Sequence, residues 1–250
     1  MKKPRLSGII DRSLNYGRHQ VESFFSAIQQ DKYKVVLDIG AGHGDDLLIA
    51  RRFNTTAELH GIEAYEPYAK ELRQMNINVH SLNLEKEALP FNDEGIDVII
   101  ANQIMEHIKE IFWLLHEISR TLKIGGSLII GVPNLASLHN RLLLLFGQQP
   151  STIQNNSAHV RGYTKKDLLK LLYSCFPGGY ELQLFGGSNF YPLPAVIAKP
   201  LAKLFPNAAW SIFLLLRKVN PYDRQFLEFP IANQLETNFF LGDEAKAGLN

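Results

Sequence analysis

Two hydrophobic periods alternate along the first half of the chain, and together they predict strands and helices in strict succession. Val35-Val36-Leu37-Asp38-Ile39 is a compact apolar run that breaks into Gly40-Ala41-Gly42-His43-Gly44 and resumes with helical spacing from Asp45 to Phe53. That reads as a buried strand turning through glycines into a helix. Glu58 to Glu63 follows as a second strand, Pro67 to Met75 as its helix, and Val79 to Leu82 as a short third strand. Gly95 to Asn102 is nearly continuous in apolar residues, as a central parallel strand covered on both faces should be. Ile104 to Leu122 has the pattern of an amphipathic helix, which Lys123-Ile124-Gly125-Gly126 closes before a strand over Ser127 to Val132. Such alternation predicts an α/β fold.

Beyond Pro133 the pattern loosens. Leu135 to Phe146 is an apolar helix, residues 147–161 are polar and loop-like, and Leu168 to Ser174 is a helix opened by Thr164 as N-cap with Asp167 three residues on. Tyr180 to Phe185 and Trp210 to Leu216 are the last strands. Before the first strand, Leu14, Val21, Phe24, Phe25 and Ile28 recur at helical spacing and predict an N-terminal arm over Ser13 to Gln29 that packs on the core.

At 250 residues the chain fits one α/β domain with insertions. Its 26 basic and 25 acidic residues leave a formal net charge of +1, which provides no electrostatic footprint for a nucleic acid. The single cysteine, Cys175, excludes an internal disulfide and suits a reducing cytoplasm; beside Phe176 it reads as a small apolar filler. Met1 to Leu14 lacks the apolar segment of a signal peptide, so a cytoplasmic location is expected. The apolar stretch from Tyr191 to Val219 is interrupted by Pro192, Pro194, Pro200 and Pro206, so a spanning helix of about 20 residues does not fit. Interleaved lysines and arginines at 199, 203, 217 and 218 leave a peripheral membrane contact through 190–218 as one reading. An acceptor-side helix packed on the sheet is the favoured one. The aromatic stretch from Tyr222 to Leu241 is expected to pack on the domain or on a second subunit of a homodimer.

The glycine turn carries the chemistry. Glycine lets the backbone take positive φ and approach a ligand closely, and the helix that follows offers free N–H groups. Asp38, at the carboxyl end of the strand, would repel a phosphate and attract a cationic or hydroxyl-bearing ligand. Glu63 follows Gly40 at about the distance at which a nucleotide-binding unit places the acid that accepts both ribose hydroxyls. A dinucleotide site of the G-x-G-x-x-G kind, and with it an NAD-dependent oxidoreductase, is disfavoured because Gly44 falls one residue early.

The D-x-G-x-G-x-G run of Asp38 to Gly44 resembles the first motif of the class I S-adenosylmethionine-dependent methyltransferases of small-molecule type. The strand ending at Asn102, the Glu106-His107 dipeptide and the Leu122-Lys123-Ile124-Gly125-Gly126 turn resemble the same family. The resemblance is strong from Lys34 to Val132 and weak elsewhere. It implies a Rossmann-like seven-stranded, mostly parallel sheet in the order 3-2-1-4-5-7-6 with helices on both faces, the last strand inserted antiparallel. It further implies S-adenosylmethionine as cofactor, held by Asp38, Gly40, Ala41, Gly42, Glu63 and Ala64. Asn83 or Glu85 would meet the adenine amino group, with Leu84 lining the ring, and Asn102 and Gln103 would face the methionine end. Tyr16 and Arg18 of the arm are further contacts if it covers the cofactor, as such an arm often does in related enzymes; a helix start on the surface is the favoured alternative. The division implied is an arm at 1–32, a cofactor-binding domain at 33–218 with an acceptor lid at about 136–178 and a helical insert at about 190–209, and a tail at 219–250.

Methyl transfer needs a nucleophile aligned with the carbon–sulfur bond, and alignment contributes more than a general base does. His107 is the first candidate base, against an equal reading in which it only packs or closes over the cofactor. His159 is the second, with Arg161 able to meet an anionic acceptor; a surface pair on the lid is the plain alternative. The eight histidines show neither H-x-x-x-H nor H-E-x-x-H, so no metal is expected. The expected reaction is methylation of a small-molecule, lipid or saccharide acceptor, more readily at oxygen. A non-catalytic protein that binds S-adenosylmethionine is the other class left open.

Overall fold

A computed structural model describes residues 12–28 and 33–242. Its elements run α1 (Arg18–Ala27), β1 (Val35–Ile39), α2 (Asp45–Phe53), β2 (Glu58–Ile62), α3 (Glu66–Gln74), β3 (Asn78–His80), β4 (Ile96–Asn102), α4 (Ile111–Thr121), β5 (Leu122–Pro133), α5 (Leu138–Leu145), α6 (Lys165–Cys175), β6 (Tyr180–Ser188), α7 (Ala195–Leu204), β7 (Ser211–Lys218) and α8 (Gln225–Ala232). The seven strands form one sheet in the order β3-β2-β1-β4-β5-β7-β6. Every pairing is parallel except the two made by β7, so the sheet is the mostly parallel one expected.

The side-chain period of two sorts the strands onto two cores. Leu37, Ile39, Ile99, Leu128, Ile130 and Val132 face the side covered by α4, α6 and α8. Val36, Val98, Ile100 and Ile129 face α1 and α2 with Phe24, Phe25 and Leu47. Burial on both faces explains why β4 and β5 read as unbroken apolar runs. The strand order reverses direction between β1 and β4, and a crevice at their carboxyl ends is where such a sheet binds ligands.

Three expectations are corrected. The arm is not one helix: a 3-10 turn at Arg12–Tyr16 precedes α1, and Gly17 between them is left-handed at φ 53°. A side chain at position 17 would begin 2.1 Å from the Phe213 ring, so only glycine lets the arm seat on β7. The helix read over 104–122 divides into a 3-10 turn at Met105–His107 and α4, because the Glu106 carbonyl accepts N–H bonds from Val160 and Arg161 rather than from the next turn. Strand β5 begins at Leu122, so Lys123 to Gly126 continue a bulged strand instead of forming a separate turn.

Lys218 is fully buried, yet its ammonium donates to the carbonyls of Ser119 at 2.9 Å and Leu122 at 2.7 Å, where α4 ends. The aromatic tail packs within the chain, with Phe226 in the core, Phe239 against Phe112 and Phe240 against Trp113. Among the described residues no helix is long and apolar enough to cross a membrane.

Candidate functional site

The glycine turn leaves β1 and closes on β2. The amides of Gly40 and Ala41 both donate to the Ile62 carbonyl, at 2.9 and 3.0 Å, which locks the loop over the end of the neighbouring strand. Gly40, Gly42 and Gly44 all have left-handed backbones, at φ 79°, 52° and 79°. A side chain would strain each of them. Their surroundings differ: a methyl at Gly44 would meet Leu72 at 2.6 Å, whereas one at Gly42 would meet nothing within 4 Å. Gly44 therefore serves the packing of α2, and Gly42 borders open space against the backbone.

Below the loop lies a concentration of buried carboxylate. Asp38 is buried, and burial first, then Asp46, push its carboxyl well above the ordinary range, with Glu63 adding to the effect and Arg18 opposing it. Asp46, in the first turn of α2, is also shifted upward, chiefly by burial. Its Oδ2 accepts from Asn102 Nδ2 at 2.7 Å, and that amide also donates to the Tyr16 carbonyl at 3.0 Å. Asp46 Oδ1 has no partner among the described residues. Arg18 pairs with Asp45 at 2.6 Å and lies over the Tyr16 ring, so these two residues bring the arm to the mouth of the crevice.

Glu63 follows β2 directly and spans the loop. Its Oε2 accepts from the Gly42 amide at 2.9 Å and its Oε1 from the Tyr65 amide at 2.8 Å. Each oxygen keeps a lone pair for a further donor. Ala41 is buried beneath the loop and Ala64 is exposed beside Glu63. On the far side, Asn83 is exposed and its Oδ1 accepts from the Glu85 amide at 3.0 Å. Glu85 is engaged with the Lys109 amide at 3.0 Å, and Leu84 packs half-buried on the core.

At the carboxyl end of β4 a cavity of about 340 Å³ is lined by Gln103, Glu106 and His107 and by Ser151, Thr152 and His159 of the loop after α5, with Tyr16 and Trp210 closing it. A larger cavity of about 750 Å³ lies between α1, β6 and α7, with Arg18 on its wall. Gln103 is held left-handed at φ 56°, its amide donates to the Gly131 carbonyl, and its buried Nε2 has no partner among the described residues. His107 and His159 meet edge to face with ring centroids 4.7 Å apart. Burial first, and His159 next, pull the His107 imidazole below its usual value, so it is neutral near pH 7. Burial pushes Glu106 up to about 7. The Arg161 guanidinium donates through Nε and Nη2 to the carbonyls of Ile108 and Lys109, at 3.2 and 2.8 Å, and ties its loop to the segment before α4.

Neither Asp46 nor the buried role of Glu106 is marked in the sequence. The first looks like an ordinary helix-start acid and the second like part of an amphipathic helix, and only their burial in the fold sets them apart.

A doubly wound sheet with an acid-and-glycine turn on β1, an acid after β2 and a covered cavity beyond β4 defines a class I S-adenosylmethionine-dependent methyltransferase. The sequence model of a family described as a methyltransferase domain matches residues 30–178, more than half of the chain, and the chain belongs to that family. It is similar to a probable S-adenosylmethionine-dependent methyltransferase of Mycolicibacterium smegmatis, 25% identical over 70% of this chain and 66% of that protein. It is also similar to an uncharacterized 37.1 kDa protein in a transposon of Streptomyces fradiae, 28% identical over 41% of this chain and 31% of that one. The chain thus spans less than two thirds of the length of these relatives. Among solved structures, the 1,6-didemethyltoxoflavin-N1-methyltransferase of Burkholderia thailandensis, with 1,6-didemethyltoxoflavin and S-adenosylhomocysteine bound, shares the fold at a TM-score of 0.56. It is 15% identical and aligns over 82% of this chain and 80% of its own.

The family's cofactor is S-adenosylmethionine, and the residues present fit it. The open space at Gly42 admits a ligand against the backbone, and the unpartnered Asp46 oxygen beside Asp38 is a counterpart for cationic donors.

Proposed function

We propose that the protein methylates an oxygen of a small-molecule acceptor held in the cavity between the Met105–His107 turn and the lid. The observation that carries this reading is the placement of that cavity, with two histidines on its wall, beside the end of β4 that faces the cofactor crevice. S-adenosylmethionine, when bound, supplies an electrophilic methyl group on a positively charged sulfur. Asp38 and Asp46 hold the cationic amino-acid end, Gly40 and Gly42 let the backbone come close, and Glu63 accepts the ribose hydroxyls. Asn83 and Leu84 take the adenine, Asn102 and Gln103 border the methionine end, and Tyr16 with Arg18 covers the entrance.

The lid excludes water through the bonds that tie Val160 and Arg161 to the Glu106 carbonyl and the Arg161 guanidinium to the carbonyls of Ile108 and Lys109 ahead of α4. Holding two reactants in line contributes about 7–11 kcal/mol, the larger share of the acceleration. His107 and His159 engage the acceptor hydroxyl, and a neutral His107 has a lone pair to offer it. Val196, Ile197, Leu204 and Phe205 stand exposed on and after α7, and Leu142, Leu145 and Phe146 on and after α5. These apolar positions favour an acceptor with a hydrocarbon portion, free or presented on a lipid surface.

The reading is tested with deuterated-methyl cofactor and a panel of phenols, sugars and vesicle-borne prenyl phenols, followed by mass spectrometry. Label on oxygen of one acceptor class is expected; label found only on nitrogen or carbon, or on none of the panel, contradicts it. His107→Ala should lower turnover about 10²-fold, as for loss of an acid-base group, while S-adenosylhomocysteine binds as before. Unchanged turnover would remove His107 from the reaction.

A further inference from the structure

The two histidines can meet the acceptor directly or through an ion, and three observations favour the ion. First, one ligand-capable atom from each of Glu106, His107 and His159 lies within 4.8 Å of the other two. Second, both imidazoles spend Nδ1 on a backbone carbonyl: His107 on Ala158 at 3.3 Å and His159 on Thr152 at 2.8 Å. A carbonyl only accepts, so each Nδ1 carries the proton and each Nε2 is left with its lone pair. That is the outer-shell arrangement by which metal-binding histidines are oriented. Third, Glu106 is 2% exposed, and its Oε2 has no hydrogen-bond partner among the described residues. Leaving a buried carboxylate oxygen unmatched is costly, and a cation would match it.

We infer that Glu106, His107 and His159 bind one divalent first-row transition-metal ion on the wall of the acceptor cavity, with positions left open for an acceptor oxygen. Two imidazole nitrogens and one carboxylate oxygen suit Mn²⁺, Fe²⁺, Co²⁺ or Zn²⁺, whereas Mg²⁺ and Ca²⁺ prefer oxygen alone. Ligands at about 2.1 Å from an ion stand roughly 3–3.5 Å from one another, so binding draws the lid histidine toward the turn and closes the cavity. The acceptor that fits is one that chelates, a vicinal dihydroxyl or a hydroxy-carbonyl. An ion there lowers the pKa of a bound hydroxyl, whose proton leaves to solvent water. Gln103 Nε2, buried and unpartnered on the same cavity, is placed to donate to the second oxygen. Sequence spacing gave no sign of the site because His159 arrives from the lid, far along the chain from the Glu106-His107 pair.

The ion site stands on geometry alone; only its role toward the acceptor rests on the methyl-transfer reading. The test uses the full chain, stripped with a chelator and titrated with Co²⁺ while visible absorption and heat are followed, with S-adenosylhomocysteine binding measured in parallel. One equivalent is expected with ligand-field bands, weakened at least tenfold by Glu106→Gln and by His159→Ala, with the nucleoside bound equally well throughout. A catechol added as probe should shift the bands. Co²⁺ binding that is absent, or equally tight in His159→Ala, overturns the site, and that variant decides the matter if Glu106→Gln does not fold. Bands that catechol leaves unmoved overturn the acceptor role. Loss of nucleoside binding with the ion retained would instead count against the cofactor reading.

Discussion

Asp38→Asn is expected to bind S-adenosylmethionine at least tenfold more weakly than the parent and yet to unfold at a higher temperature when no ligand is present. Asparagine keeps the shape of the side chain and removes a charge that its surroundings disfavour. In the ligand-free protein, burial and Asp46 hold the Asp38 carboxyl well above the ordinary range. A raised folded-state value means that the folded protein prefers the protonated acid. Stability contributed by that preference is present at low pH and is lost as pH climbs from the unfolded value near 3.9 toward the folded one. The asparagine variant escapes this loss, and each 1 kcal/mol recovered raises the midpoint by roughly 2–4 °C in a domain of this size. A cationic ligand reverses the preference: it favours the carboxylate, so affinity in the parent should rise with pH over the same interval and binding should release a proton. The variant should show neither trend. Melting curves with and without ligand, and titrations at several pH values, check both halves. A variant that binds as tightly as the parent would free Asp38 from its assigned role.

The second large effect is at Glu63. Glu63→Ala removes the carboxylate proposed to accept both ribose hydroxyls and also releases the amides of Gly42 and Tyr65 that it now holds. Hydrogen bonds to a charged group contribute about 1.5–3 kcal/mol, and roughly 1.4 kcal/mol is a factor of ten. The expected loss of affinity is therefore about 10- to 100-fold. The two causes separate with an analogue lacking both ribose hydroxyls. If the ribose contact dominates, the parent should bind that analogue about as weakly as the variant binds the natural cofactor, and the variant should lose little more. If the variant loses as much on the analogue as on the cofactor, loop anchoring is the larger role.

The glycine turn was legible in the sequence because its information is local. An apolar strand, alternating glycines and an acid lie within a few residues of one another, and the left-handed angles at Gly40, Gly42 and Gly44 account for that spacing. The acid after β2 was legible for the same reason. The proposed acceptor cavity is lined by Gln103, Glu106, His107, Ser151, Thr152, His159 and Trp210, which only the fold brings together. The break after Asn102 was hidden because the carbonyls that end the helix pattern bond to the lid, a partner no periodicity can see. Asp46 was hidden differently: acids in a first helical turn usually face water and complement the dipole, and this one turns inward to Asn102. The arm's interruption at Gly17 depends on the Phe213 ring across the sheet, again a contact between distant segments.

The central claim is that the crevice between β1 and β4 is built for a nucleoside bearing a cationic amino acid. Isothermal calorimetry of the purified full chain with S-adenosylmethionine, S-adenosylhomocysteine and NAD⁺ tests it directly. One-to-one heats for the first two and none for the dinucleotide are predicted; silence toward both nucleosides with a clear heat for NAD⁺ would contradict it.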